Sequence, residues 1–170
     1  MKGKFMFALH CTKKAQDRLK VKPVSALPEP TTRLGNWYCN EFTTSRRKYL
    51  IFVNVRTLLP IVVSVKGLKT SRDILELFKQ RLFKAFLLLQ LPEEKFMPEL
   101  VEMDEAVFAK TSNRSIVGSM NDIIAQAKFS SDYHEIDVDS PAMFESLSQI
   151  PLKANGYKRS TELVAELLRP

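Results

Sequence analysis

Residues 106–122 constrain the fold most, because a strand pattern passes there into a helix pattern through a short polar linker. Residues 106–111 are typical of a strand, and Ser112 or Asn113 can accept the free N–H groups of a following helix. At about 100° per residue, one narrow arc of that helix, predicted over residues 114–130, is apolar and therefore faces the core. This arc holds Ile116, Met120, Ile123, Ile124 and Ala127, and the opposite stripe holds Ser115, Ser119, Asp122 and Gln126, with Gly118 beside it.

Four further strand patterns and one longer helix pattern complete the predicted fold. Strands are predicted near residues 5–11, 36–43, 48–54 and 59–65, and the long helix follows a cap at Ser71 and covers residues 72–90. Three successive strands between residues 36 and 65 favour an antiparallel meander. We therefore predict one α+β domain over residues 1–170, with a mostly antiparallel five-stranded sheet packed by two main helices.

Shorter elements are predicted around this framework. Thr12 is a candidate cap for a short helix over residues 13–20. The acidic stretch 93–105 is expected to be irregular, because Pro98 interrupts it. Residues 132–139 have the composition of a mobile acidic linker, and a helical tail is predicted from about residue 140, with helices near 140–149 and 161–168.

Length and composition indicate a globular protein that needs no covalent reinforcement. The chain has 170 residues, of which 45% are hydrophobic, so it can bury a substantial core. Lys2 and Lys4 precede an apolar run at residues 5–9, which is shorter than the roughly 7 to 15 residues of a secretory signal. We expect a soluble, cytoplasmic protein in which Cys11 and Cys39 are buried, reduced thiols.

Charge is distributed unevenly along the chain. Residues 1–72 contain 15 Lys and Arg against 3 Asp and Glu, a net charge of +12, and residues 73–170 contain 11 against 16, a net of −5. These values sum to the +7 of the whole chain. The asymmetry has two interpretations: a basic face for an acidic partner, or a basic half that pairs with the acidic half within one fold.

Several short blocks carry a resemblance to a known family. They are Cys11-Thr12-Lys13-Lys14, Leu34-Gly35-Asn36-Trp37-Tyr38 with Asn40, Arg46-Arg47-Lys48 with the strand to Asn54, residues 113–122, and Gly156-Tyr157-Lys158. Through these blocks the chain resembles an uncharacterised bacterial family, a domain of unknown function, over most of residues 7–158. The family has a small residue such as Ala at the position of Cys39, and the resemblance implies no known activity.

The start of the helix at Asn113 is the first candidate site. A helix N-terminus offers N–H donors and a partial positive charge, so it can bind an anion such as phosphate. Arg114 and Ser115 could add side-chain contacts, and Asp122 is a candidate general base. The alternative is structural: Asn113 acts as a cap, and Gly118 allows close packing. A ligand pocket here would have Trp37 and Tyr38 as its floor and Arg114, Ser115, Ser119 and Asp122 around it.

A basic hairpin is the second candidate site. Arg46, Arg47 and Lys48 form its tip, and Lys13 and Lys14 lie in the same basic half of the chain. Trp37 and Tyr38 lie on the adjoining strand. Cations interleaved with aromatic rings are typical of proteins that bind single-stranded nucleic acid. The alternative is that the tip is an ordinary charged turn and that Trp37 belongs to the core.

No pattern in the sequence specifies catalysis. His10 and His134 lie in unrelated contexts, so we expect no Ser/His/Asp triad, metal site or cofactor. The acidic run at residues 93–105 is expected to be a solvated surface. We therefore favour a non-catalytic binding module for an acidic partner, either nucleic acid or protein. The alternatives are a small-ligand binder or small enzyme at the Asn113 helix, and self-assembly through the leucine-rich long helix.

Overall fold

A computed structural model describes residues 6–168, which form five strands and six α-helices. The strands are β1 (Met6–Cys11), β2 (Trp37–Thr44), β3 (Arg47–Asn54), β4 (Pro60–Ser64) and β5 (Glu105–Lys110). The helices are α1 (Lys13–Leu19), α2 (Ser71–Leu88), α3 (Glu93–Glu102), α4 (Arg114–His134), α5 (Pro141–Ser148) and α6 (Ser160–Leu167), with a short 3-10 turn at Lys153–Asn155. The α+β fold class predicted from the sequence is confirmed.

All five strands belong to one sheet, in the order β4-β3-β2-β1-β5. The meander β2-β3-β4 is antiparallel, as predicted: β2 and β3 pair through 8 residues of each strand, and β3 and β4 pair through 5. The parallel pairs are shorter in total, with 3 residues between β1 and β2 and 6 between β1 and β5. Strand β1 is parallel to both β2 and β5. This parallel part arises because a helix and a long connection return the chain to the end of the sheet at which β1 began.

The sheet separates two cores. On one face, here called the α2 face, helices α1, α2 and α3 bury Trp37, Phe52 and Phe78. On the other, the α4 face, helices α4 and α5 pack against Tyr38 and Ile51. Neighbouring residues of β2 therefore face opposite cores, as the strand alternation predicts. Within α4, the apolar arc predicted from the sequence is buried.

The C-terminal helices cover one edge of the sheet. Pro60 begins β4, and β4 is an edge strand, a position that tolerates proline. Helix α5 contacts β4 and contributes Met143 to the α4-face core, whereas its Phe144 packs against the α2-face core. Val164 of α6 is also buried on the α2 face. Because α5 belongs to both cores, it passes over the β4 edge, where an exposed strand could otherwise pair with another chain.

One predicted helix cap is shifted, and one predicted strand end is not tested. The predicted first strand began at residue 5, which lies outside the described residues, and β1 is described from Met6. The cap of α2 is Thr70 rather than Ser71: the Thr70 hydroxyl accepts the N–H of Asp73 at 3.1 Å. Both hydroxyl residues are suitable caps, so composition alone did not distinguish them.

The acidic stretch is helical, which corrects the prediction that Pro98 would break it. Helix α3 runs through Pro98. The helix loses one main-chain hydrogen bond at the proline, since proline has no N–H. Phe96 and Leu100 are buried in the α2-face core, and this burial holds the helix together despite the proline.

Residues 132–139 are ordered, in contrast to the mobile linker that was predicted. Helix α4 continues to His134 and ends at Glu135 in a left-handed conformation. Val138 is buried on the α4 face. Asp139 forms an ion pair with Arg81 of α2 at 2.9 Å. An acidic composition is also compatible with structure when a few residues of the segment pack or pair with the rest of the molecule.

Candidate functional site

Two neighbouring parallel strands send their helices to opposite faces of the sheet. The last residue of β1, Cys11, pairs with the last residue of β5, Lys110. From there β1 leads through Thr12 into α1 on the α2 face, whereas β5 leads into α4 on the α4 face. Such a topological switch point is the general ligand-binding position of open α/β sheets. We call residues 12–14 and 110–115 the switch point.

The start of α4 at the switch point is capped as the sequence predicted. The Asn113 side-chain oxygen accepts the N–H groups of Ser115 at 3.0 Å and Ile116 at 3.2 Å. Among the first three residues of α4, only Arg114 has an N–H without a partner within residues 6–168. The cap therefore uses most of the donors that a free helix N-terminus would offer to an anion.

Tyr38 holds the turn before α4 in place. Its hydroxyl oxygen accepts the N–H of Ser112 at 3.2 Å and the N–H of Asn113 at 2.9 Å. The ring is buried on the α4 face. Tyr38 therefore positions the switch point from below, as a structural support.

His10 lies beside Tyr38, and sequence reasoning assigned no role to it. The two rings stack with centroids 4.8 Å apart. Nδ1 of His10 lies 3.0 Å from the carbonyl oxygen of Lys110. Because a carbonyl oxygen only accepts, Nδ1 of His10 carries the hydrogen of this bond. Its position at the end of β1, one residue before Cys11, is the signal that could have identified it.

The turn from β1 into α1 is fixed to β2. The Thr12 hydroxyl donates to the side-chain oxygen of Asn40 at 2.7 Å, and the Thr12 N–H donates to the Cys39 carbonyl at 3.1 Å. The Thr12 oxygen also caps α1, as predicted. Both connections of the switch point are thus held by residues of β2.

Four residues of the switch point are basic and exposed: Lys13, Lys14, Lys110 and Arg114. Lys13 pairs with Asp17 at 3.1 Å, and both side chains are open to solvent, so this pair contributes little. Lys14, Lys110 and Arg114 form no ion pair within residues 6–168. The register of β1 with β5 therefore brings together basic residues that lie about a hundred positions apart in the sequence.

The cations of the β2-β3 hairpin, Arg46, Arg47 and Lys48, lie away from the switch point. Strand β2 continues five residues beyond Cys39, the partner of Cys11, which carries the tip roughly 17 Å past the end of β1. The tip contacts the end of α4, where the Ser45 and Ser131 hydroxyls are 3.3 Å apart. A shallow cleft there is lined by Arg47 together with Glu135 and Asp137. The basic and acidic halves of the chain thus meet at the hairpin.

Trp37 and Tyr38 do not form one floor, which corrects the pocket predicted from the sequence. Trp37 is 0% exposed and lies on the α2 face, edge-on to Phe78 at 5.0 Å between ring centroids. Tyr38 lies on the α4 face. Adjacent strand residues point to opposite faces, so the two rings cannot line one concavity, and neither is available to stack on a nucleic-acid base.

The residues of the predicted polar stripe of α4 differ in their exposure to solvent. Ser115 and Asp122 are exposed, whereas Ser119 is buried. Gly118 is exposed, and a Cβ added there would meet nothing within 4 Å, so close packing does not explain this glycine. Arg114, Ser115 and Asp122 are therefore the α4 candidates that remain open to solvent.

One residue of the acidic stretch is buried rather than solvated. Glu99 is 2% exposed, and its carboxylate accepts the N–H groups of Arg33 at 2.8 Å and Leu34 at 3.0 Å. Burial raises the pKa of the Glu99 carboxyl, and the two N–H groups oppose that rise. Phe96, Glu99, Leu100 and Met103 follow the i, i+3, i+4, i+7 spacing of a buried helical stripe, a signal that could have identified Glu99.

No group of three or more His, Cys, Asp or Glu side chains within residues 6–168 converges as a metal site would require. No helix in the same part of the chain has the length and hydropathy of a membrane span.

Comparison with known proteins returns one family. A family model described as a domain of unknown function (DUF6933) matches residues 8–163. No curated protein and no solved structure matches the chain at a significant level.

Proposed function

The chain belongs to this DUF6933 family of domains of unknown function, and from that premise we propose a non-catalytic binding module that binds phosphate groups at the switch point. The observation that carries the proposal is the divergence of α1 and α4 from the paired ends of β1 and β5. Ligands of open sheets bind where neighbouring connections separate in this way. The cations Lys14, Lys110 and Arg114 make an anionic group the suitable ligand.

Nucleic acid is the leading source of the phosphate. With Trp37 and Tyr38 buried, base stacking by these rings is unavailable. Binding then depends on the phosphate backbone and is independent of base sequence. A small phosphorylated metabolite is the alternative, and the largely buried imidazole of His10 beside the switch point favours it. Both sources agree with the cytoplasmic location and bacterial origin expected from the sequence.

Charge reversal at the switch point tests the proposal. Lys14→Glu with Arg114→Glu changes two exposed cations in the first turns of helices, where acidic residues are favourable, so the fold should be retained. The binding of a labelled oligonucleotide, followed by fluorescence anisotropy over a range of salt concentrations, should weaken. The plot of log affinity against log salt concentration has a negative slope, and removal of two phosphate contacts should make it less steep by about two.

The hairpin provides the matched control. Arg46→Glu with Arg47→Glu makes the same change in charge at the hairpin tip, where Arg47 shares a cleft with Glu135 and Asp137. We expect a smaller loss of binding from this pair than from the switch-point pair. Equal losses would mean that affinity follows net charge alone and would refute a local site.

A second titration distinguishes the two sources of phosphate. If inorganic phosphate or ATP at millimolar concentration displaces the oligonucleotide and itself shifts the amide signals of residues 110–115, the small ligand is the natural one. If the oligonucleotide binds with a steep salt dependence and neither small anion competes, nucleic acid is the partner. Absence of binding by all three probes would reject the proposed function.

A further inference from the structure

The outward face of α4 carries a patch of aromatic rings that the rest of the fold leaves open. Phe129 is 48% exposed and Tyr133 is 74% exposed. Their ring centroids lie 4.8 Å apart, and His134 lies edge-on to Phe129 at 5.5 Å. Scattered exposed apolar residues are normal on a protein surface, whereas a contiguous patch marks an interaction site. The last turns of α4 are therefore a candidate interface.

Gly118 lies on the same face, nearer the start of the helix. Phe129 follows it by about three helical turns, so the two positions share one side of α4. A Cβ added at Gly118 would meet no described atom within 4 Å. Glycine destabilises a helix interior relative to alanine, and the open space beside this glycine is unused within residues 6–168. A backbone without a Cβ allows another chain to approach closely.

Charges of opposite sign lie at the two ends of this face. Arg114 begins α4, and Asp132 follows it by about five full turns, so both lie on one flank of the helix. Both are exposed, and neither forms an ion pair within residues 6–168. Asp132 accepts the Thr44 hydroxyl at 3.3 Å through Oδ1. Its Oδ2 accepts no hydrogen bond from residues 6–168, so the carboxylate retains an oxygen for a cation.

These two pairs of residues are centred on the same point of the helix. Gly118 and Phe129 have their midpoint within half a residue of Ile123. Arg114 and Asp132 have their midpoint at Ile123 itself. At a rise of about 1.5 Å per residue, the two midpoints differ by less than about 1 Å along the helix. A two-fold axis through this point, perpendicular to α4, therefore brings a ring opposite a glycine and a cation opposite a carboxylate in one antiparallel register.

We propose that α4 packs against α4 of a second copy in an antiparallel, two-fold contact. Phe129 of each copy lies on Gly118 of the other, and Arg114 of each copy pairs with Asp132 of the other. A second copy is the occupant because one face supplies both members of each complementary pair, as an isologous interface requires. The guanidinium of Arg114 has five N–H donors, so its contact with Asp132 leaves donors for a phosphate at the switch point.

Asp122 limits the affinity of this contact. It is exposed and lies one residue from the two-fold axis, so its two copies approach each other. Their repulsion opposes association. A single pair of helices also gives a contact at the small end of specific interfaces. The dimer is therefore a reversible one.

Sedimentation equilibrium without nucleic acid tests the contact, so the result does not depend on the phosphate proposal. A salt concentration of about 0.15 M screens the net charge of +7 on each copy. The native chain should show a reversible monomer–dimer equilibrium. Arg114→Glu and Asp132→Lys should each weaken dimerisation about tenfold, because the two-fold axis repeats each repulsion. The double variant exchanges the charges and should return to within about threefold of the native value.

These charge variants should remain folded, because an acidic residue suits the first turn of a helix and a basic residue the last. Circular dichroism verifies the fold.

Gly118→Ala separates an interface from a structural role. In dilute solution, where the monomer prevails, the added methyl group should raise the temperature of unfolding. In the same variant, dimerisation should weaken about fivefold, because the methyl group displaces the Phe129 ring of the other copy. Phe129→Ser should weaken dimerisation at least about tenfold. Asp122→Asn should instead strengthen it about threefold, because the repulsion across the axis is removed.

Leu87→Gln with Leu88→Gln is the matched control. Of the four leucines that broaden the apolar surface of α2, Leu75 and Leu77 pack against the α2-face core. Leu87 and Leu88 are 46% and 51% exposed. The control therefore removes exposed apolar surface outside α4, and it should dimerise as the native chain does.

Three results would overturn the proposal. One is a native chain that stays monomeric up to about 1 mM, where even a weak dimer is populated. Another is association that the leucine control abolishes and Phe129→Ser preserves, which would place the interface on α2. The third is a double charge variant that associates no better than either single variant.

Discussion

Buried polar residues explain several blocks that carry the family resemblance. Leu34 is held from both sides: its N–H donates to Glu99 at 3.0 Å, and its carbonyl accepts from Asn54 at 2.9 Å. The Asn54 oxygen also accepts the N–H groups of Arg56 and Thr57. These residues therefore fix the connection that leads into β2. Their pairing spans up to 65 positions, which no local pattern in the sequence could reveal.

Glu99→Gln should destabilise the protein and make its free energy of unfolding less dependent on pH. An amide has one acceptor for the two N–H groups of Arg33 and Leu34, so the expected loss is about 1–3 kcal/mol at neutral pH. The raised pKa means that the native state holds its proton more tightly than the unfolded state does. Stability should therefore decrease as the pH rises from the ordinary glutamate range through that raised pKa.

Urea unfolding between pH 4 and pH 8 measures both effects. Glu94→Gln, a change on the same helix at an exposed position whose charge is not among those acting on Glu99, serves as the control and should leave stability and its pH dependence nearly unchanged. A Glu99→Gln profile that parallels the native one would show that Glu99 does not carry this pH dependence.

At the scale of elements, the boundary between β5 and α4 was the best predicted part of the chain. The cap at Asn113 and the buried arc of α4 follow from spacing alone, because both are local properties. The support from Tyr38 could not be predicted, since it lies 75 positions from Asn113. The same limit applies to α3, where burial of Phe96 and Leu100 outweighs the effect of Pro98.

Tyr38→Phe should therefore destabilise the switch point. Removal of the hydroxyl leaves the N–H groups of Ser112 and Asn113 without their acceptor, at an expected cost of about 1–3 kcal/mol. Tyr49→Phe is the matched control, because Tyr49 is equally buried on the same face and its hydroxyl makes no hydrogen bond within residues 6–168. Chemical denaturation of both variants gives the difference, and equal losses would contradict the role assigned to Tyr38.

At the scale of the molecule, the sequence predicted the layers but not the full connectivity. The three-strand meander was accessible because its turns are short and local. The placement of β1 between β2 and β5 was not, because parallel pairing joins segments that are distant in sequence. For that reason the two sets of predicted cations could not be separated in advance. Lys13 and Lys14 meet Lys110 and Arg114, whereas the hairpin meets acidic residues.

Deletion of residues 140–170 should abolish cooperative folding. Met143, Leu147 and Val164 are fully or almost fully buried, and each contributes about 1.5–3 kcal/mol. Their combined loss is comparable to the whole stability of a typical domain, about 5–15 kcal/mol. Circular dichroism during heating should show no sharp transition for the shortened chain. Deletion of residues 169–170 alone is the control, and a cooperative transition in the longer deletion would mean that the tail is an independent unit.

The cover over β4 has a consequence for the order of events during biosynthesis. Pro60–Ser64 leaves the ribosome long before Pro141–Ser148, the helix that passes over its edge. At about 5–20 residues per second, the interval is several seconds. The nascent chain thus carries an open strand edge for that time, which is the period in which a chaperone or a neighbouring nascent chain would meet it.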